Sequence, residues 1–191
     1  MPPKAKIQKQ ALIDKAFALT RLYGFEKVTA RLLAKELNCS TQPIFHTFRN
    51  MNELKKEVYK KTQTFFEEYM LQPPSDPETP YFLSMGLKYV ELAEREKNLF
   101  HLLCMSDSGT KLESFYDLAK HLPVEIDPDV FVKTWIFTHG IATIVSSNTT
   151  SITQEEIKQM LTGACASFRL YHNSGEKEIA RRRQIKLEEL L

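Results

Sequence analysis

The stretch AKIQKQALIDKAFALTRLY, residues 5–23, places Ile13, Ala16, Phe17, Thr20 and Tyr23 three and four positions apart, with Gly24 behind them as a stop. That periodicity predicts a helix with those residues on its inward face. Thr29 is positioned to cap a second helix, ARLLAKEL, with Leu32, Leu33 and Leu37 inward, and Asn38 then suits the left-handed backbone of a tight turn. Ser40 or Thr41 caps a third, short helix carrying Ile44, Phe45 and Phe48, where aromatic residues three apart are expected to form the buried side. Pro43 falls at the second or third position of this helix, where its missing N–H has no intrahelical acceptor to lose. Its ring pushes Gln42 away from the α region, so Gln42 is a further candidate for the cap. A long amphipathic helix is expected from about Glu53 to Met70, and QPPSDPETP breaks it.

Beyond that break the periodicity predicts five further helices: Tyr81 to Glu94, Glu96 to Met105, Lys111 to Leu122, Val130 to Ser147 and Thr153 to Tyr171. Asp127-Pro128-Asp129 and Ser151-Ile152-Thr153 read as helix starts. The tail, GEKEIARRRQIKLEELL, is of mixed charge and reads as a solvated, partly frayed helix. The expectation is an all-α protein with a three-helix head at residues 1–50 and a larger helical body at residues 51–191, joined by the helix from about 53 to 70.

Composition supports this and adds a charge asymmetry. Apolar residues make up 42% and charged residues 26% of the 191, and six glycines are too few for a loop-rich β protein. Residues 1–61 carry 13 Lys/Arg against 5 Asp/Glu, whereas residues 62–191 carry 13 against 19. A basic module joined to an acidic one suggests a polyanion-binding head, because Lys and Arg that neutralise phosphates release condensed counterions; a merely solvated lysine-rich surface is the alternative. Cys39, Cys104 and Cys165 are widely spaced without a C-x-x-C pair, which points to a reducing compartment. The basic MPPKAKIQKQ has no apolar run behind it and no segment has the length of a membrane span, so a cytoplasmic protein is expected.

Two short helices joined by a tight turn, the second opening with Ser40, Thr41 and Gln42, describe a helix-turn-helix. Ala16-x-x-Leu19 with Gly24, Val28-Thr29-Ala30, Leu33-Ala34, Cys39-Ser40, Ile44-Phe45-x-x-Phe48, Asn50 and Glu53-Leu54 stand in an order and spacing that resembles the tetracycline-repressor (TetR) family of transcriptional regulators, over about residues 10–58. The resemblance implies an all-α homodimer whose head binds a palindromic double-stranded DNA operator and whose divergent body binds a small effector. Carried over by position, it implies that Thr29 and Arg31 hold a phosphate, that Ser40, Thr41, Gln42, Pro43, His46 and Thr47 meet the major groove, and that Phe45 lies at the DNA as well. The chain departs from the family at Asn38 for Gly, Thr20 for an aromatic residue, Phe45 for Tyr and Met51 for Lys. The Tyr and Lys so replaced touch phosphates in the family, and Lys55, Lys56 and the arm lysines Lys4, Lys6 and Lys9 stand nearby to supply the charge instead.

In the body, WIFTHGIATIVSS and GACAS are apolar and small-sided, fitting either the paired dimer helices that the resemblance implies or a monomeric core. Tyr89, Phe100, Phe115, Trp135 and His139 are candidate effector contacts in an interior rich in aromatic residues and Met, suited to an apolar or aromatic ligand. Trp135 and His139, four apart, share a helix face. His101-x-x-Cys104 is too sparse for a metal site, and no cofactor is expected. No phosphate loop, nucleophile elbow or metalloprotease motif argues for an enzyme. A helical interaction adaptor that keeps the fold without specific DNA binding is the competing reading.

Overall fold

The computed structural model describes residues 7–105, 127–147 and 151–188, with residues 117, 119–121, 123 and 125 between them; side chains are described to residue 175. Among these residues every regular element is helical. They are α1 (Lys9–Tyr23), α2 (Ala30–Glu36), α3 (Gln42–Thr47), α4 (Met51–Met70), α5 (Tyr81–Arg95), α6 (Lys97–Phe100), α7 (Pro128–Ser146) and α8 (Gln154–Glu188). A short 3-10 turn, Phe25–Lys27, follows α1, and a π-helical turn, His101–Met105, follows α6. None of the described helices is long and apolar enough to cross a membrane. Lys4, Lys6, Phe115 and most of the helix expected at 111–122 lie outside the described residues.

The chain packs as two compact units, residues 1–69 with 92–110 and residues 70–91 with 111–191. The expected boundary between residues 50 and 51 is not where packing divides, because Leu54 and Val58 of α4 lie fully buried in the same cluster as Leu12, Ala16, Leu33 and Ile44. Helices α1 to α3 are too short to enclose a core without them.

In the first unit, Gly24 stops α1 at φ +81°, its N–H donating to the Thr20 carbonyl at 2.8 Å. Phe25 then enters the core in place of Tyr23, which was expected inward and is exposed. Thr20 is fully buried and returns its hydroxyl to the Ala16 carbonyl at 2.8 Å. The Thr29 hydroxyl caps α2 by accepting from the Leu32 N–H at 3.1 Å. Leu33 and Ala34 are the buried residues of α2, with Leu32 and Leu37 packed at the edge of the core.

The turn after α2 is a Schellman motif: Asn38 N–H donates to the Lys35 carbonyl and Cys39 N–H to the Ala34 carbonyl, at 3.1 and 3.0 Å. Asn38 occupies the left-handed region at φ +50°. The N-terminus of α4 is capped reciprocally, Asn50 Oδ1 accepting from Glu53 N–H at 3.0 Å and Glu53 Oε2 from Arg49 N–H at 2.8 Å. Helix α6 is fastened to the end of α1 by the Arg21–Glu96 ion pair and by Asn98 Nδ2 donating to the Arg21 carbonyl at 3.0 Å.

In the second unit α7 and α8 pack along each other, burying Val130, Phe131, Ile141, Ala142 and Val145 of α7 and Ile157 and Leu161 of α8. Asp127 caps α7 by accepting from Asp129 and Val130 N–H, so the helix opens at Pro128, two residues before the periodicity suggested. Thr153 and Glu156 form a capping box for α8, which runs unbroken past Tyr171 to Glu188. Buried Lys88 donates to the carbonyls of Gln72 and Pro73, tying α5 to the connection before it; burial holds its ammonium below the usual lysine range.

Because only the left-handed Asn38 lets Cys39 reach back to Ala34, Asn38→Gly should hold or raise the unfolding midpoint in urea. Asn38→Val should lower stability by about 1–2 kcal/mol.

Candidate nucleic-acid interface

Helix α3 has six residues, and Ile44 and Phe48, four apart, take its inward side. Phe45 lies 100° round from Ile44 and is therefore turned outward, 51% exposed, contrary to the expectation that both phenylalanines are buried. Gln42, Phe45 and His46 form one exposed stripe opposite the core, and Arg49, just beyond the helix, continues its spacing with a side chain 90% exposed. Arg49 was not singled out from the sequence; its place seven residues after Gln42 is the signal that identifies it.

Thr41 is the cap residue of α3, not Ser40, and it caps with its backbone: the Thr41 carbonyl accepts from Ile44 and Phe45 N–H at 3.1 and 3.3 Å. Gln42 is the first helical residue despite the proline after it, and Pro43 the second. Ser40 is exposed, and Thr41 and Pro43 are half-buried where the turn meets the helix. Thr47 is half-buried and donates its hydroxyl to the Pro43 carbonyl at 2.9 Å, leaving oxygen lone pairs to accept. The readable groups are thus the Gln42 amide, the His46 imidazole, the Ser40 hydroxyl and the Phe45 ring, a mixture of hydrogen-bonding and apolar surface that suits base edges and thymine methyls.

Around the stripe, the cations divide into held and outward-facing. Lys55 is 28% exposed, 3.0 Å from Glu26 and over the Phe25 ring, and Lys9 is 2.9 Å from Glu57 and over the Phe48 ring. Lys15 and Lys61 face Glu36 and Asp14. Arg31, one residue into α2, and Lys56 are exposed. Thr29 is also exposed, with its hydroxyl already capping α2. Met51, standing where the family places a phosphate-binding lysine, packs against the head's core instead. Its loss of charge is a gain in burial.

In the second unit Tyr89, Trp135 and His139 come together as a cluster. Tyr89 Oη and His139 Nδ1 are 2.9 Å apart, and the Trp135 and His139 rings stack at 5.0 Å and 10°. Burial holds the His139 imidazole below its ordinary range, so it is neutral near pH 7. A small cavity of about 30 Å³ adjoins them, lined by Met70, Phe82, Met85, Tyr89, Phe131, Thr134, Trp135 and Thr138. The 131, 134, 135, 138 stripe on α7 has helical spacing and marks this wall in the sequence. Phe100, expected with these residues, is buried in the first unit, and Phe115 lies outside the described residues.

Asp127, Asp129 and His172 gather two carboxylates and an imidazole, with His172 Nε2 3.4 Å from Asp127 and Nδ1 3.6 Å from Asp129. Lys133 Nζ lies 2.6 Å from Asp129 within α7, Asp127 Oδ1 caps α7, and His172 brings α8 to the same two carboxylates as a polar clasp. The Lys133 ammonium and the hydrogen bonds it makes hold the Asp129 carboxyl below the usual range.

Residues 12–58 match the family model described as bacterial regulatory proteins, tetR family. The match covers α1 to α3 and the first turns of α4, the elements that build the head. No curated protein matches the chain. The match supports a DNA-binding transcriptional regulator of the TetR type.

Since Glu26 holds Lys55, Glu26→Gln should strengthen binding to every DNA sequence severalfold. It should also steepen the logarithmic salt dependence by about one unit, as read by fluorescence anisotropy across a salt series.

Proposed function

We propose that this TetR-family regulator binds a palindromic operator as a homodimer, represses the adjoining promoter by obstructing RNA polymerase, and is released by a small apolar or aromatic effector bound in its body. It acts in the cytoplasm and by binding, without catalysis or a cofactor. The observation that carries the DNA half of this reading is the division of α3 into a buried Ile44–Phe48 side and an exposed Gln42–Phe45–His46 side. Two copies of that stripe, about 34–36 Å apart, fit successive major grooves. Thr29 and Arg31 fix the head on the phosphates, Gln42 reads a base edge through its amide, and Phe45 makes an apolar contact in place of a phosphate bond.

Support for the dimer comes from what α7 and α8 leave uncovered. Ile136, Gly140 and Ile144 recur every four residues on α7, and Met160, Gly163, Ser167 and Leu170 repeat at three- and four-residue intervals on α8, all exposed. A Cβ on Gly140 or Gly163 would meet nothing within 4 Å, so both backbones are open to close approach. Leu170 at 68% exposure is an apolar contact awaiting a partner, and a second copy supplies one through a four-helix bundle. Helix α4 is the mechanical link: its Leu54 and Val58 belong to the head's core and its last residue, Met70, lines the cavity. An effector that fits one conformation better than the other shifts the population, and operator DNA must weaken effector binding by the same factor.

Anisotropy on DNA from upstream of the protein's own gene tests the reading. The expected result is tight binding that survives scrambled competitor and falls steeply with salt. Binding indifferent to sequence would favour the adaptor, a reading kept open by the absence of a hydroxyl on Phe45 and a charge on Met51. Gln42→Ala should lower affinity for the operator by about 1–3 kcal/mol while leaving scrambled DNA unchanged; equal losses on both would remove it as a reader. Leu170→Glu should turn the dimer into a folded monomer in light scattering, with helicity retained by circular dichroism.

A further inference from the structure

Lys88, on α5, is 8% exposed, and its ammonium donates to the carbonyls of Gln72 and Pro73, to the latter at 2.9 Å. Lysine is seldom buried to this extent without partners, and here the partners are neutral backbone groups just beyond the end of α4 at Met70. The contact therefore fixes where the chain leaves α4. Further along, Asp76 turns the connection on itself, accepting from the Glu78 N–H and the Thr79 hydroxyl at 3.1 and 2.9 Å, before α5 begins at Tyr81.

The same stretch closes the cavity. Met70 is 3% exposed and forms part of the wall, and the other described lining residues belong to α5 and α7. Met85 and Tyr89, on either side of Lys88 in α5, stand in that wall as well. At about 30 Å³ the space has room for about one water molecule, so no ligand of several heavy atoms enters with Met70 in place. An unbranched thioether is the wall element best suited to move, and Met70 ends its helix whereas Met85 is held inside one.

We infer that Met70 is a plug and Lys88 its latch: the cavity stays shut while the Lys88 ammonium grips the residues after α4, and a ligand enters by displacing Met70 and loosening that grip. The inference rests on the reading of the body as the effector-binding unit and adds to it how the site opens. Occupancy is then felt at the end of α4 through the chain itself.

Hydrogen exchange of the full-length protein, followed by mass spectrometry, tests the latch. Lys88→Met keeps an apolar stem and removes the donors; the amides of residues 66–72 should exchange at least about tenfold faster with α7 and α8 as protected as before, and Lys88→Arg should restore the protection. A merely structural lysine would loosen the whole unit instead. Xenon, which enters small apolar cavities, tests the plug. Met70→Ala should take it up, read as saturable quenching of Trp135, the only tryptophan in the chain and part of the wall, and the wild type should bind it at least about tenfold more weakly. Should Met70→Ala not fold, Met70→Val is the smaller truncation for the same comparison. The inference is overturned if exchange at residues 66–72 is the same in Lys88→Met as in the wild type, if protection falls equally across the unit, or if the folded Met70 variant takes up xenon no better than the wild type. Operator anisotropy on the same variants separates this from the regulatory reading: faster exchange at the end of α4 in Lys88→Met with operator affinity unchanged supports the latch and counts against release through α4.

Discussion

Three helices of fifteen, seven and six residues cannot enclose a dry interior, and the head exists because Leu54 and Val58 of α4, and Leu102 from later in the chain, close it. This burial is the constraint on which the rest depends. It fixes the start of α4 against α1, α2 and α3, so the orientation of the recognition helix is not independent of the helix that follows it. Removing a side chain such as Leu54 would open a cavity at the centre of this arrangement, with a cost of about 2–5 kcal/mol. The same closure explains why the first unit takes in residues 92–110: the Arg21–Glu96 pair and the Asn98 amide bring α6 onto the end of α1, where the sequence alone shows a body helix.

Most of the helices were legible in the sequence because their boundaries are written in single residues with one physical meaning each. Gly24 stops a helix, Asn38 turns left, Asp127 and Thr153 cap, and the structure uses each of them so. What could not be read was whatever depends on angle within a short element or on partners distant in sequence. Phe45 and Phe48 have identical chemistry and favourable spacing, and only the placement of Ile44 decides that one goes in and the other out. Lys55 reads as free charge until Glu26, twenty-nine residues earlier, is seen beside it. Phe100 reads as pocket wall until its unit is known. Trp135 and His139 could be paired from the sequence because they share a helix face, whereas Met70, Phe82 and Phe131 carry no signal that singles them out from other apolar residues.

The charge of the head is less available than its composition suggests. Lys9, Lys15, Lys55 and Lys61 each face a carboxylate, and exposed pairs of this kind contribute little to stability. Arg49 likewise lies 3.8 Å from Glu53, and the effect of these pairs is to neutralise: the positive field of the head is left to fewer cations, among them Arg31 and Lys56. With its electrostatics muted in this way, the DNA recognition proposed for the head would rest more on base contacts at α3 than on the phosphate backbone.

The base contacts proposed for α3 fall to residues outside the core. Ile44 and Phe48 hold α3 in place, while Gln42, Phe45 and His46 point away from every core contact. Exchanging a surface residue of this kind changes stability by only about half a kcal/mol. Operator preference can therefore drift through successive substitutions at these positions without passing through an unfolded intermediate sequence. The architecture separates what must be inherited intact from what lineages are free to vary, and paralogues arising from a duplicated copy could diverge in target while sharing one scaffold.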